Sequence, residues 1–303
     1  MNSPRPTTVT EIDRTMIMRG AGPIVDRTVL DTIIQLDFGS WFVDANPRSL
    51  PPAILDEYLD TFASWIAASR LNSITGLDAF PYHHLTSGIT QAFDDFVVRH
   101  RARTIKYLPG EYPYIRRIVP EAQPLGMLEA GDAIAISIPF SATGHVHEET
   151  ETVLEQASQL DVPVLIDCAF FGICQNVRID VAYPCVESVC FSNSKAFASG
   201  NFRAGIAFSR HDTGILPVLN SWRYVHLLAA KVNMALMEKY SPDYIFEKYR
   251  GSQLAVCDAL DLKPSDTVIF GIGKNEYDEF SMDGIINRCA ITEAIRVHYD
   301  ATR

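Results

Sequence analysis

Residues 163–210 read PVLIDCAFFGICQNVRIDVAYPCVESVCFSNSKAFASGNFRAGIAFSR, and this stretch limits the possible folds more than any other. It holds three short apolar runs, residues 164–166, 186–191 and 205–208. The first stops on Asp167, the second runs into Ser192-Asn193-Ser194-Lys195, and the third follows Arg203. Strands apolar on both faces belong to parallel sheets covered by helices on both sides, and such sheets take ligands at the strand ends. An acid, a lysine and an arginine gathered at one sheet edge can hold a pyridinium nitrogen, an aldehyde carbon and a phosphate. The plain alternative is a surface ion cluster, which does not explain why each charge lies at or just beyond the end of an apolar run.

At these residues the sequence resembles the fold-type I pyridoxal 5'-phosphate (PLP) enzymes, the aspartate aminotransferase superfamily. Asp167-Cys168-Ala169-Phe170-Phe171-Gly172 is similar to the family's D-x-A-Y-x-G, and Ser192-Asn193-Ser194-Lys195 to its S-x-S-K. Arg203-Ala204-Gly205 puts an arginine eight residues after the lysine, as the family does. Each motif alone is weak; three in order at family spacing are specific. The resemblance implies an α/β fold: a mostly parallel central sheet with helices on both faces, the PLP-transferase type I large domain, plus a reduced small α+β domain. The expected division is 1–45 for an N-terminal arm and small-domain strand, 46–225 for the PLP-binding large domain, and 226–303 for a linker helix and compact C-terminal small domain.

Composition is consistent with this. A chain of 303 residues can bury a large core, and its formal charge of −11 is spread without acidic or basic blocks, against a nucleic-acid-binding surface. There is no apolar run of about eighteen residues and no signal-peptide pattern, so no membrane partner is expected and the cytoplasm is the default location. Six cysteines without a C-x-x-C pair read as buried thiols, with no metal site. Residues 1–20 are polar with prolines at positions 4 and 6, the composition of a mobile or partner-draped arm.

Further candidates lie on both sides of the central stretch. Residues 33–42 read as a short strand entering a glycine turn, and the family's N-terminal strand lines the substrate side. Gly39, Ser40 and Trp41 are therefore candidate substrate contacts, or simply a turn glycine beside a core tryptophan. After Pro51-Pro52, apolar residues recur at helical spacing from Ile54 to Ile66. Ser87, Gly88 and Ile89 open an amphipathic helix, where free backbone N–H groups favour a phosphate. They match the family's first phosphate turn, with isoleucine offering only its backbone N–H; an ordinary N-cap is the alternative. Pro109-Gly110-Glu111-Tyr112-Pro113-Tyr114 resembles P-x-Y-P-x-Y at altered spacing, which assigns ring stacking to Tyr112 or else marks a surface turn. Ser141 stands in the slot of an asparagine, and Phe170 in that of a tyrosine, both of which meet the cofactor's phenolic oxygen in the family. Both departures fall on one atom and leave the reaction type open. Residues 215–240 read as one long helix leading to the small domain. Arg288, in Ile286-Asn287-Arg288-Cys289-Ala290, is similar to the family's carboxylate-gripping arginine.

The resemblance implies Lys195 as the cofactor-bonding lysine and proton carrier, Asp167 opposite the ring nitrogen, and Ser87, Gly88, Ser192 and Arg203 around the phosphate. The expected activity is an aminotransferase using an L-amino acid and a 2-oxo acid, in a homodimer. A PLP lyase, decarboxylase or cyclase, and a non-catalytic PLP-binding protein, are the alternatives.

Overall fold

The computed structural model describes residues 12–42, 50, 51 and 53–303; the start of the expected arm, residues 1–11, lies outside them, as do residues 43–45 at the end of the expected N-terminal unit. Helices α1 (Arg27–Ile34) and α2 (Ile54–Ala67) precede strand β1 (Ser73–Thr75). Strands and helices then alternate: β2 (Tyr82–Thr86), α3 (Ile89–Arg99), β3 (Thr104–Tyr107), α4 (Tyr114–Ile118), β4 (Gln123–Pro124), β5 (Asp132–Ser137), α5 (Thr150–Gln159) and β6 (Val164–Cys168). Next come β7 (Arg178–Asp180), β8 (Val186–Ser192), β9 (Gly205–Ser209), α6 (Ile215–Ser221), α7 (Leu227–Lys239) and α8 (Tyr244–Ala259). The chain closes with β10 (Lys263–Pro264), β11 (Phe270–Gly273), β12 (Ser281–Met282), β13 (Ile286–Ala290) and α9 (Thr292–Ala301).

Seven strands form one sheet in the order β2-β9-β8-β6-β5-β3-β4. Only β9 runs antiparallel to its neighbours; the other pairings are parallel. Every residue of β5, β6 and β9 is buried, because side chains leave alternately to two covered faces. Ala133, Ala135, Leu165, Cys190 and Ala207 pack beneath Ile89, Phe93 and Phe96 of α3. Ile134, Ile136, Val164, Ile166, Val189 and Ile206 face the opposite core with Tyr58, Phe62 and Trp65 of α2. The helical stripe read after Pro51 is that buried face.

A second core lies under a four-stranded antiparallel sheet, β10-β11-β13-β12. There Ile245, Phe246 and Val256 of α8 and Ile295 of α9 meet Val268, Ile269 and Phe270. The Gln253 amide of α8 donates to the carbonyls of Ser265, Thr267 and Phe270, which ties the loop before β11 to the helix. Met18 makes an isolated antiparallel bridge to Ala290 of β13.

Two expectations are corrected. Residues 33–42 are not a strand: α1 ends at Ile34, and Phe38–Trp41 form a 3-10 turn. Local capping decides this. Asp26 accepts the Val29 N–H at 2.9 Å, and Asp37 accepts the Ser40 N–H at 3.4 Å. Residues 215–240 are not one helix either. The chain breaks between α6 and α7, with Arg223 in the left-handed region at φ 57° and the Tyr224 N–H on the Leu219 carbonyl at 2.8 Å. Helix α7 packs in the main core through Ala230, Val232 and Leu236. After α7, the chain passes to the second core beyond Tyr240.

Candidate active site

Register alone gathers the charged groups. Thr86 at the end of β2 pairs with Gly205, and Gly205 pairs with Ser192 at the end of β8. Asp167 lies between Ser137 of β5 and Cys190 of β8. Because β9 runs backwards, its first residue rather than its last sits at this edge. Arg203, two residues before it, is thereby delivered beside Ser87 and Gly88.

At one end of the site is an anion cradle. Gly88 has φ 100°, and a Cβ built there would stand 3.0 Å from Arg203 Nη2 and 3.6 Å from Ser192 Oγ. The missing methyl therefore keeps open a space bounded by a guanidinium, a hydroxyl and the N-terminus of α3. Ser192 Oγ also lies 3.0 Å from Ser194 Oγ. The Ser87 N–H donates to Gln91 Oε1 at 2.7 Å, while the Ile89 side chain is buried in the core under α3.

In the middle is Lys195, whose Nζ donates to the Ala21 carbonyl. Burial, followed by the charges of Arg288 and Arg203, brings this amine down to about 8, with Asp167 opposing. Asp167 is buried and accepts the Ala169 N–H at 2.8 Å. Burial, then the neighbouring Glu111 carboxyl, pushes it up to about 7. Tyr112, partly exposed, lies within reach of the charges of Asp167 and Arg203. Its ring runs nearly parallel to that of Tyr114, 11° between planes, and its hydroxyl is raised by burial and by Asp167, with Arg203 opposing.

At the far end is Arg288 on β13, held by Ser141 and Arg19. Its Nη1 donates to the Ser141 carbonyl at 2.7 Å and its Nη2 to the Arg19 carbonyl at 2.8 Å. The guanidinium stands 4.6 Å from the centre of the Phe270 ring, and burial brings it down to about 10. Its Nε–H is buried without a partner among the described residues. Phe170 meets the same Phe270 ring edge-on at 5.4 Å. Gly39, Ser40 and Trp41 form none of these contacts: Trp41 packs on Phe38, which stacks on Phe202, and Ser40 Oγ donates to the Asp37 carbonyl.

The likeness to solved structures covers nearly the whole chain. An aromatic aminotransferase from Pyrococcus horikoshii OT3 superposes with TM-score 0.65 at 13% identity, over 96% of this chain and 95% of that one. A PLP-bound C-S lyase from Staphylococcus hominis gives 0.64 at 12%, over 92% and 87%. A tyrosine aminotransferase from Leishmania infantum gives 0.63 at 11%, over 99% of both chains. This is the fold-type I fold. No protein-family model and no curated protein matches the sequence.

Within the fold-type I frame, the residues suit PLP as a guest. The donor set at Gly88, Ser192 and Arg203 suits a phosphate, the cradle at Gly88 would be filled by a Cβ, and the depressed amine of Lys195 suits an aldehyde. Several contacts escaped the sequence reading. Arg19 and Ala21 bring carbonyls to Arg288 and Lys195 from Arg19-Gly20-Ala21-Gly22-Pro23, a glycine-rich turn after an apolar pair that was a usable signal. Ser137 and Glu111 left no signal, since each is a single polar residue beside apolar ones. No described helix is long and apolar enough to cross a membrane.

Proposed function

We propose that the protein is a PLP-dependent aminotransferase acting on an L-amino acid and a 2-oxo acid, with Lys195 as the residue that bonds the cofactor's aldehyde carbon. The observation behind this reading is the half-buried Lys195 amine, lowered to about 8 by desolvation and then by the charges of Arg288 and Arg203. An amine must be neutral to attack a carbonyl carbon, and like charges in a desolvated pocket favour that form. When bound, PLP supplies an electron sink for charge developing on the substrate Cα. The protein supplies the rest. Asp167 would face the ring nitrogen, Arg203, Ser192, Ser87 and Gly88 would take the phosphate, Tyr112 would lie against the ring, and Lys195 Nζ would be the group to move the Cα proton. The unpartnered Nε–H of Arg288 supports a carboxylate guest, since a buried charged donor without an acceptor is costly.

The test is direct. Cofactor-free protein mixed with PLP and reduced with borohydride should carry a mass adduct on Lys195, and Lys195→Ala should carry none. An unmodified wild-type protein refutes the reading. A second reading, a PLP lyase, decarboxylase or cyclase, is favoured by Phe170, whose ring has no hydroxyl for the cofactor and packs instead on Phe270. Amino-group transfer to an added 2-oxo acid separates the two. Release of carbon dioxide or a thiol without transfer supports the second.

A further inference from the structure

Glu111 is left without a role by the preceding reading, yet it is fully buried, directly before Tyr112. Its hydrogen bonds come from neutral donors. The Tyr112 N–H donates to Oε1 and the Ser137 N–H to Oε2, both at 2.8 Å, and the Ser137 hydroxyl bonds Oε1 as well. Ser137 is the β5 partner of Asp167, and its Oγ lies 3.5 Å from Asp167 Oδ2. One hydroxyl thus stands between two buried carboxyls. Two such groups do not both ionise readily, and the better-solvated one keeps the charge. Glu111 has three donors within about 2.8 Å; Asp167 has one at that range, the Ala169 N–H, and the Ser137 hydroxyl only at 3.5 Å. The other groups facing the pair are Lys195 beyond β8, Arg116 of α4, the Tyr112 hydroxyl, and the thiols of Cys168 and Cys190 on the two strands. Neither cation bonds either carboxyl, so both act through space.

We propose that Glu111 is a positioning residue for Asp167: it stays ionised on its three donors and, through Ser137, leaves Asp167 as the acid of the pair that takes up a proton in the cofactor-free protein. A protonated Asp167 cannot face a protonated ring nitrogen, so the proton and a pyridinium compete for one carboxylate. The site therefore holds ring-protonated ligands well above pH about 7 and releases them as pH falls below it, the raised position of Asp167 setting the midpoint. The choice of ligand rests on the PLP reading; the order in which the two acids titrate does not.

Side-chain carbon NMR of cofactor-free protein labelled at aspartate and glutamate tests the pair, with Asp167→Asn and Glu111→Gln identifying the signals. In the wild type Glu111 should titrate at lower pH than Asp167, and Glu111→Gln should lower the Asp167 midpoint by roughly one pH unit or more. The reverse order, or an unmoved midpoint, overturns the proposal. If Glu111→Gln does not fold, the wild-type order decides, with the Asp167→Asn spectrum assigning the signals. A second arm uses 4′-deoxypyridoxine 5′-phosphate, which has the ring and phosphate but no aldehyde for Lys195. Below the midpoint its affinity for the wild type should fall about tenfold per pH unit, and in Glu111→Gln that fall should begin at lower pH. Identical profiles in the two proteins overturn the competition. Wild-type protein that shows the proposed carboxyl order but binds no ligand at any pH defeats the PLP reading and leaves the Glu111–Asp167 pair supported.

Discussion

At the scale of single residues, the site depends on removing solvent from charges and placing them close together. Lys195, at about 8, is protonated below that value and nucleophilic above it. Stopped-flow capture of PLP by cofactor-free protein should therefore quicken about tenfold per pH unit up to about 8 and then level off. Arg288→Lys keeps a charge but loses the fork, and kcat/KM for an α-amino acid should drop roughly 30-fold, about 2 kcal/mol, with PLP affinity unchanged. Gly88→Ala would force a side chain onto φ 100° and place its methyl 3.0 Å from Arg203. It should weaken PLP at least tenfold, about 1.4 kcal/mol, while pyridoxal, which lacks the phosphate, binds as before; equal losses for both would remove Gly88 from the phosphate end. Lys195, Asp167 and Arg203 were legible because each charge lies at or just beyond the end of an apolar run. Glu111 and Ser137 were not, because only the pairing of β5 with β6 and the turn after β3 place them beneath Asp167.

At the scale of elements, what could be read from the sequence followed how strongly each segment's own pattern determines it. Strands β5, β6, β8 and β9 are apolar through their length because both faces are covered, and that pattern survives in the sequence. Helix α2 shows its stripe equally clearly; Phe62, fully buried with edge-on contacts to Tyr58 and Trp65, anchors it on the sheet. Phe62→Ala should cost about 3–5 kcal/mol in urea unfolding, and a loss under 1 kcal/mol would mean this face does not hold α2. Residues 33–42 misled because their apolar residues are compatible with strand or helix, and the aspartates at 26 and 37 that cap them act through local hydrogen bonds. Glu187 on β8 shows an element secured by charge. Burial alone would raise its carboxyl, but the bond to His100 and the charges of His100 and Arg99 bring it down to about 2. A depressed acid contributes stability above its unfolded value, which is lost as pH falls through the folded one. Stability measured from pH about 4.5 to 2 should therefore fall less steeply in Glu187→Gln than in the wild type.

At the scale of the whole molecule, the two cores meet across the site. Arg288 reaches from the small sheet to the Ser141 carbonyl, and Ser265 and Thr267 donate to the carbonyls of Thr143 and Gly144. We propose that the assembled protein is a homodimer, as the superfamily resemblance implies; light scattering should return twice the chain mass, and a monomer would contradict it. The sequence by itself determined the sheet type, the identity of the strand-end charges and the stripe of α2, because these follow from periodicities of two and 3.6 and from which residues tolerate burial. Only the tertiary structure decided that Arg19 and Ala21 cross the site, that α7 belongs to the main core, and that Glu111 lies under Asp167. Those placements depend on contacts between segments far apart in the chain, and no local spacing records them.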